Sequence, residues 1–137
     1  SRGLVGSEMC IRDSQRREHE IETDFGYPMY AEGFRRAIEY ASGFGVPIEV
    51  TENGVADASD SLRPEHLMRH IWILSEAIKD GYDVKSFHYW SLMDNFEWAE
   101  GYSMRFGLYE VNYGNQTRSL RQSGEIYRDL IKSQVKR

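Results

Sequence analysis

The chain has 137 residues, 40% of them hydrophobic, 13% aromatic and 28% charged, which is enough for one ordinary domain and unlike collagen-like, disordered or low-complexity sequence. Its 17 Lys and Arg against 22 Asp and Glu give a net charge of -5, with the basic residues scattered singly or in pairs such as Arg16 and Arg17, so nothing suggests nucleic acid or a membrane surface as a partner. No run reaches the roughly 18 apolar residues of a spanning helix. One cysteine, Cys10, can make neither an internal disulfide nor a thiolate metal site, which fits a reducing, cytoplasmic location.

Residues 1–22 show neither helical nor strand periodicity, and a disordered or loosely helical leader is expected there. Its Ser7–Ser14 stretch, SEMCIRDS, is similar to translated adapter sequence and so to non-native protein. Phe34, Ala37, Ile38 and Ala41 then fall on one helix face, closed by Gly43 and Gly45. Pro47 to Thr51 reads as a short buried strand. Pro64 opens a second helix with the stripe Leu67, Ile71, Leu74 and Ile78, ending at Gly81, and Val84 to Ser91 is the next strand. This alternation implies parallel strands with crossover helices. A long aromatic loop follows from Leu92 to about Gly107. A hairpin turns at Gly114-Asn115, and Ser123 is placed to cap a last helix with Ile126, Leu130 and Ile131 inward. Two parallel strands with open edges make a poor independent fold, so the pattern reads as a piece of something larger.

Thr51-Glu52-Asn53-Gly54 sets a carboxylate at the C-terminal end of a strand, the edge that carries active sites in parallel α/β folds. A turn-binding or solvated Glu52 is the plainer alternative. A second cluster runs from Trp90 through Asp94, Asn95 and Phe96 to Glu97 and Trp98. Indole faces stack on the C–H face of a pyranose, and carboxylates accept hydrogen bonds from vicinal hydroxyls. The alternative is that Trp90, Phe96, Trp98, Tyr102 and Phe106 form a core cluster under the loop. His66 and His70, four apart, have the spacing of two metal ligands, but with no third ligand in the pattern a solvated helix face is expected, and no metal. His88 is expected to be packed within its strand. No glycine pattern supports a nucleotide cofactor, and none is expected.

Thr51–Val55, Tyr89–Trp98 and Gly101–Leu108, together with Thr23-Asp24 and Gly26, resemble the C-terminal part of family 1 glycoside hydrolases, the β-glucosidase and β-galactosidase family. The likeness runs from about Thr23 to Ile131, so residues 23–137 are expected to be the C-terminal portion of the barrel. The resemblance implies a partial (β/α)8 TIM barrel, the two strands being its seventh and eighth. It implies Glu52 as the nucleophile, Trp90 as the platform beneath the sugar and Glu97 as the bidentate partner of two glycone hydroxyls. Trp98 would bind a neighbouring hydroxyl through its indole N–H, while Phe106 and Met104 would line the pocket. Tyr27-Pro28, Ser86 and Ile126 depart from the family pattern without touching these positions.

A retaining glycosidase needs a second carboxylic acid about 5–5.5 Å from the nucleophile. The family keeps it in an Asn-Glu-Pro segment on an earlier strand, and no Asn-Glu dipeptide occurs in these residues. The chain alone is therefore expected to be inactive, with a missing N-terminal barrel portion as the partner it needs to act on a small-molecule or oligosaccharide β-glycoside. Two other readings stay open at this point: a non-catalytic carbohydrate-binding relative, and a small α/β interaction module.

Overall fold

The computed structural model describes residues 21–134, so the expected leader lies almost wholly outside the described residues. Its last two positions are paired: Glu22 bridges Pro28, and the Met29 N–H donates to the Ile21 carbonyl. The elements run α1 (Ala31–Ser42), β1 (Ile48–Asn53), α2 (Arg63–Lys79), β2 (Val84–Tyr89), a 3-10 turn (Trp98–Glu100), β3 (Tyr109–Asn112), β4 (Thr117–Leu120) and α3 (Gln122–Gln134).

β1 and β2 pair in parallel, with Ile48 opposite Val84, Val50 opposite Phe87 and Asn53 opposite Tyr89. That is the predicted crossover unit, with α2 as the connection. α1 packs on α2 and against β1, and α2 packs on α3. β3 and β4 form the predicted antiparallel hairpin, in a two-stranded sheet of their own. The buried apolar positions are Ala31, Ile38, Val50, Leu67, Ile73 and Ala77 on the helices and β1, Val55 and Ala56 in the segment after β1, and Leu108 and Val111 at the hairpin.

Several expectations are corrected. On α1, Ile38 of the predicted face is buried but Ala37 is exposed. β1 is not a buried strand: Val50 is its one buried residue, because neither outer edge of the pair has a strand beside it among the described residues. His88, expected to be packed, is exposed on β2 for the same reason. In α2 the buried face follows Arg63, His66, Leu67, His70, Ile73 and Ala77, so of the predicted stripe only Leu67 is fully buried and Ile78 is exposed. The apolar spacing misled because charged and polar groups, held by ion pairs, hydrogen bonds and ring stacking, take core places on this helix.

Arg63 shows how. It has no solvent exposure, and its guanidinium meets the Asp60 carboxylate, the Asp57 carbonyl and, at 2.8 Å, the Arg105 carbonyl. His70 Nδ1 lies 2.8 Å from the His66 carbonyl, and the two imidazoles stack at 3.9 Å. The expected solvated face is thus a buried, stacked pair against Phe34. Capping also differs from the simple motif. Asp57 Oδ2 accepts the Leu62 and Arg63 N–H groups at the start of α2, a carboxylate at the positive end of the helix dipole. At α3, Ser123 is not the cap but the capped residue. Its N–H and hydroxyl both donate to Asp60, at 2.9 and 2.6 Å, from sixty-three positions away. Ile131 is exposed, while Tyr127 reaches the rings of Phe87 and Tyr89 and carries the contact of α3 with the sheet.

Tyr40, Phe44, Val46, Trp72, Leu92, Phe96 and Trp98 are all more than half exposed. Burial is what stabilises a small α/β unit, so the isolated chain is expected to unfold in urea over a broad, non-cooperative range and to bind a hydrophobic dye. A single sharp transition with a native-like near-UV signal contradicts this.

Candidate active site

The C-terminal ends of β1 and β2 are joined directly. The Trp90 N–H donates to the Asn53 carbonyl at 3.0 Å, just beyond the last strand pair. Gly54 then passes beneath Trp90, where a Cβ would lie 1.7 Å from the Trp90 carbonyl oxygen. Only glycine allows this approach, which explains its place after Glu52-Asn53. Glu52 is exposed near the end of β1, and Trp90, 37% exposed, directly follows β2. The Trp90–Ser91 peptide bond is cis.

From here the chain enters the long loop, which is laced shut at its base. Ser91 N–H donates to the Phe106 carbonyl, and Leu108 N–H to that of Ser91. Tyr109 N–H donates to Leu92, and Asp94 N–H to Tyr109, all at 2.9 to 3.2 Å. The Asp94 side chain completes the closure. It takes two parallel bonds from Arg121, at 2.9 and 3.0 Å, the N–H groups of Gly107 and Val111 at 2.9 and 3.1 Å, and a longer contact from Arg105. Burial alone raises the Asp94 carboxyl, but Arg121 and the two N–H donors outweigh it and hold the group below the usual carboxylate range. Gly107 is again obligatory, since a Cβ there would lie 2.2 Å from the Asp94 nitrogen.

Within the loop, Glu97 and Gly101 close a tight turn, the Glu97 N–H donating to the Gly101 carbonyl at 2.6 Å. Gly101 (φ 61°, ψ -125°) uses backbone space reserved for glycine, and Trp98 has φ 40°. Glu97, Met104 and Phe106 are half-buried, whereas Trp98 is 83% exposed. The aromatics are therefore not a buried core cluster: Phe96 and Tyr102 are also more than half exposed, packed edge-on at 5.4 Å.

Glu97 and Phe106 line a cleft of about 350 Å³ together with Thr23, Phe25, Tyr27, Gly54 and the buried His66 and His70. The structure thus brings Glu97 and Phe106 to one cavity, bordered by the turn that follows Glu52. Glu52, Trp90, Trp98 and Met104 do not line it. The wall from Thr23 to Tyr30 is fixed by Gly26 (φ 78°) and by Asp24, whose N–H donates to Ala56 and whose carboxylate accepts the Ala58 N–H at 2.6 Å. Burial, with His70 and Arg63 nearby, lowers His66 to about 3, and burial lowers His70 as well, so both imidazoles are neutral near pH 7. No group of three or more His, Cys, Asp or Glu among the described residues is placed to hold a metal, and none of their helices is long and apolar enough to cross a membrane.

Sequence reasoning missed the ionic framework. Asp94 is singled out only as part of a sugar-like motif, and Asp57, Arg63, Arg105 and Arg121 are not singled out at all. The one available signal was a density of Asp and Arg in segments otherwise read as loop.

Comparison with known proteins shows the family. The family model for glycosyl hydrolase family 1 matches residues 7–136, a span that begins inside the expected leader. A β-galactosidase of Pyrococcus woesei is 47% identical over 110 residues, covering 80% of this chain and 22% of its own length. A β-glucosidase of Agrobacterium sp. is 37% identical over 121 residues, 81% of this chain and 26% of its own. Among solved structures, the β-glycosidase from Pyrococcus horikoshii superposes with a TM-score of 0.83 at 39% identity, covering 88% of this chain and 28% of its own. The Thermotoga maritima β-glucosidase in complex with glucoimidazole gives 0.81 at 34% identity, covering 85% and 29%. The chain spans about a quarter of the length of these relatives and belongs to glycosyl hydrolase family 1.

Proposed function

We propose that these residues are the C-terminal portion of a retaining β-glycosidase barrel, β1 and β2 being its seventh and eighth strands, and that Glu52 is its nucleophile. The observation that carries this reading is the junction at Asn53 and Trp90. It sets Glu52 and the loop with Glu97 at the same C-terminal edge of adjacent parallel strands. In the reaction, Glu52 attacks the anomeric carbon from the face opposite the leaving group. A carboxylic acid outside this chain protonates the leaving oxygen, then activates the water that releases the sugar. The rest of the barrel must supply that acid, so these residues alone do not turn over substrate.

The other residues bind the glycone. Trp90 offers its ring to the C–H face of the sugar, and Glu97 accepts hydrogen bonds from two neighbouring hydroxyls. Trp98 donates through its indole N–H, while Phe106 and Met104 line the wall. The relatives' names, β-galactosidase and β-glucosidase, support a β-galactoside or β-glucoside substrate. A carboxylate at Glu97 repels a phosphorylated sugar, so the glycone carries no phosphate.

In the full-length enzyme carrying this segment, Glu52→Gln abolishes turnover, and Glu52→Gly with azide releases the inverted glycosyl azide from an activated aryl glycoside. Retained turnover in the Gln variant, or no azide product, removes Glu52 from its role. Glu97→Ala lowers kcat/KM roughly a hundredfold, the equivalent of about 3 kcal/mol and the scale of lost charge-assisted hydrogen bonds, and an unchanged value shows that Glu97 does not bind the glycone. Aryl glucosides are hydrolysed faster than their 6-phosphates; the reverse order contradicts the assignment of Glu97.

A further inference from the structure

Glu52 stands on a strand, but Glu97 stands on a sixteen-residue loop whose one regular element is a single 3-10 turn. Loops of this kind move unless other contacts fix them, and a bidentate hydrogen bond to a sugar tolerates little displacement. One residue in the loop is held from both sides. The Arg105 carbonyl accepts the Asp57 N–H at 3.0 Å and Arg63 Nη2 at 2.8 Å, both from the connection that follows Glu52 and opens α2. The Arg105 guanidinium points the other way. It donates to the Val111 carbonyl at 3.2 Å, approaches Asp94 at 3.4 Å and lies 4.7 Å over the Tyr113 ring. Tyr113 leans on Tyr102 at 4.5 Å, and Tyr102 meets Phe96, the neighbour of Glu97, at 5.4 Å.

We propose that Arg105 is a positioning residue that sets Glu97 against Glu52, its main chain tied to the segment after β1 and its side chain braced on the aromatic run that ends beside Glu97. This rests on the glycosidase reading above. Arg105 also sits between Met104 and Phe106, so the same anchor holds Phe106 where it lines the cleft. Arginine suits the place because a planar guanidinium can donate to a carbonyl and stack on a ring at once; lysine keeps the charge but not the plane. Removing the side chain does not strand Asp94, whose two bonds from Arg121 remain. The fold should therefore survive the test.

The test is a double-mutant cycle in the full-length enzyme with p-nitrophenyl β-glucoside. Arg105→Met is expected to lower kcat/KM at least about tenfold with an unchanged near-UV spectrum. Arg105→Lys recovers part of the loss. In the Arg105→Met background, Glu97→Ala should cost much less than in wild type, because a displaced Glu97 has less to lose. A merely structural role would lower the folded fraction and leave the effect of Glu97→Ala unchanged, so additivity overturns the proposal, as does wild-type activity in Arg105→Met. If Arg105→Met does not fold, Arg105→Lys and Tyr113→Leu are each cycled with Glu97→Ala. Non-additive losses in both support the brace, and additive ones overturn it. An inactive wild type overturns the glycosidase reading itself, a result distinct from an active wild type with additive variants.

Discussion

A carboxylate with no solvent exposure of its side chain, Asp94, governs the geometry of the loop that carries Glu97. It joins four parts of the chain: the strand β2 that leads into it, the returning end of the loop at Gly107, the hairpin at Val111, and Arg121 at the start of α3. A buried carboxylate without partners would be costly, and one with two parallel arginine bonds and two N–H donors is satisfied. Removing one member of such a pair typically costs about 3–5 kcal/mol, because the other charge is left buried and alone. Asp94 therefore specifies a conformation. With it ionised and paired, the loop can close only where Gly107 and Val111 present their N–H groups.

A second ionic set does the same for the segment after β1. Asp57 caps α2, Asp60 caps α3, and Arg63 ties both aspartates to the Arg105 carbonyl. The two sets meet at Arg105 and nowhere else among the hydrogen bonds of the described residues that join these segments directly to the loop, apart from the Asp57 N–H that reaches the same carbonyl. Between them lie the two glycines that allow close passage, Gly54 under Trp90 and Gly107 against Asp94. Sheet, helices and hairpin thus serve to bring one strand end and one loop to a shared edge, with charge pairs in place of a large apolar core.

What was legible in the sequence was the part governed by periodicity and punctuation. The helix–strand–helix–strand order, the hairpin at Gly114-Asn115 and the loop from Leu92 to Gly107 follow from apolar spacing and turn residues, and the structure has them. The face of α2 was misread because apolar spacing takes no account of Arg63, buried through ion pairing and hydrogen bonds, or of His66 and His70, whose rings stack in the core. Ser123 was misread because its partner, Asp60, is distant in sequence and local cap rules cannot reach that far. At the site, Glu97 and Phe106 share a cleft, while Trp98 is exposed to solvent and Glu52 lies at the strand end outside that cleft. The motif gave the residue types and their order; which of them share a surface depends on the closure of the loop by Asp94.

The central claim is that Glu52 forms a covalent bond to the sugar. It is tested most directly by incubating the full-length enzyme with an activated 2-deoxy-2-fluoro-β-glucoside, which slows release of the glycosyl-enzyme, and locating the adduct by peptide mass spectrometry. The account predicts one sugar per chain, on the peptide containing Thr51-Glu52-Asn53-Gly54 and on Glu52 itself. An adduct on another residue, or turnover inhibited with no adduct anywhere, contradicts it.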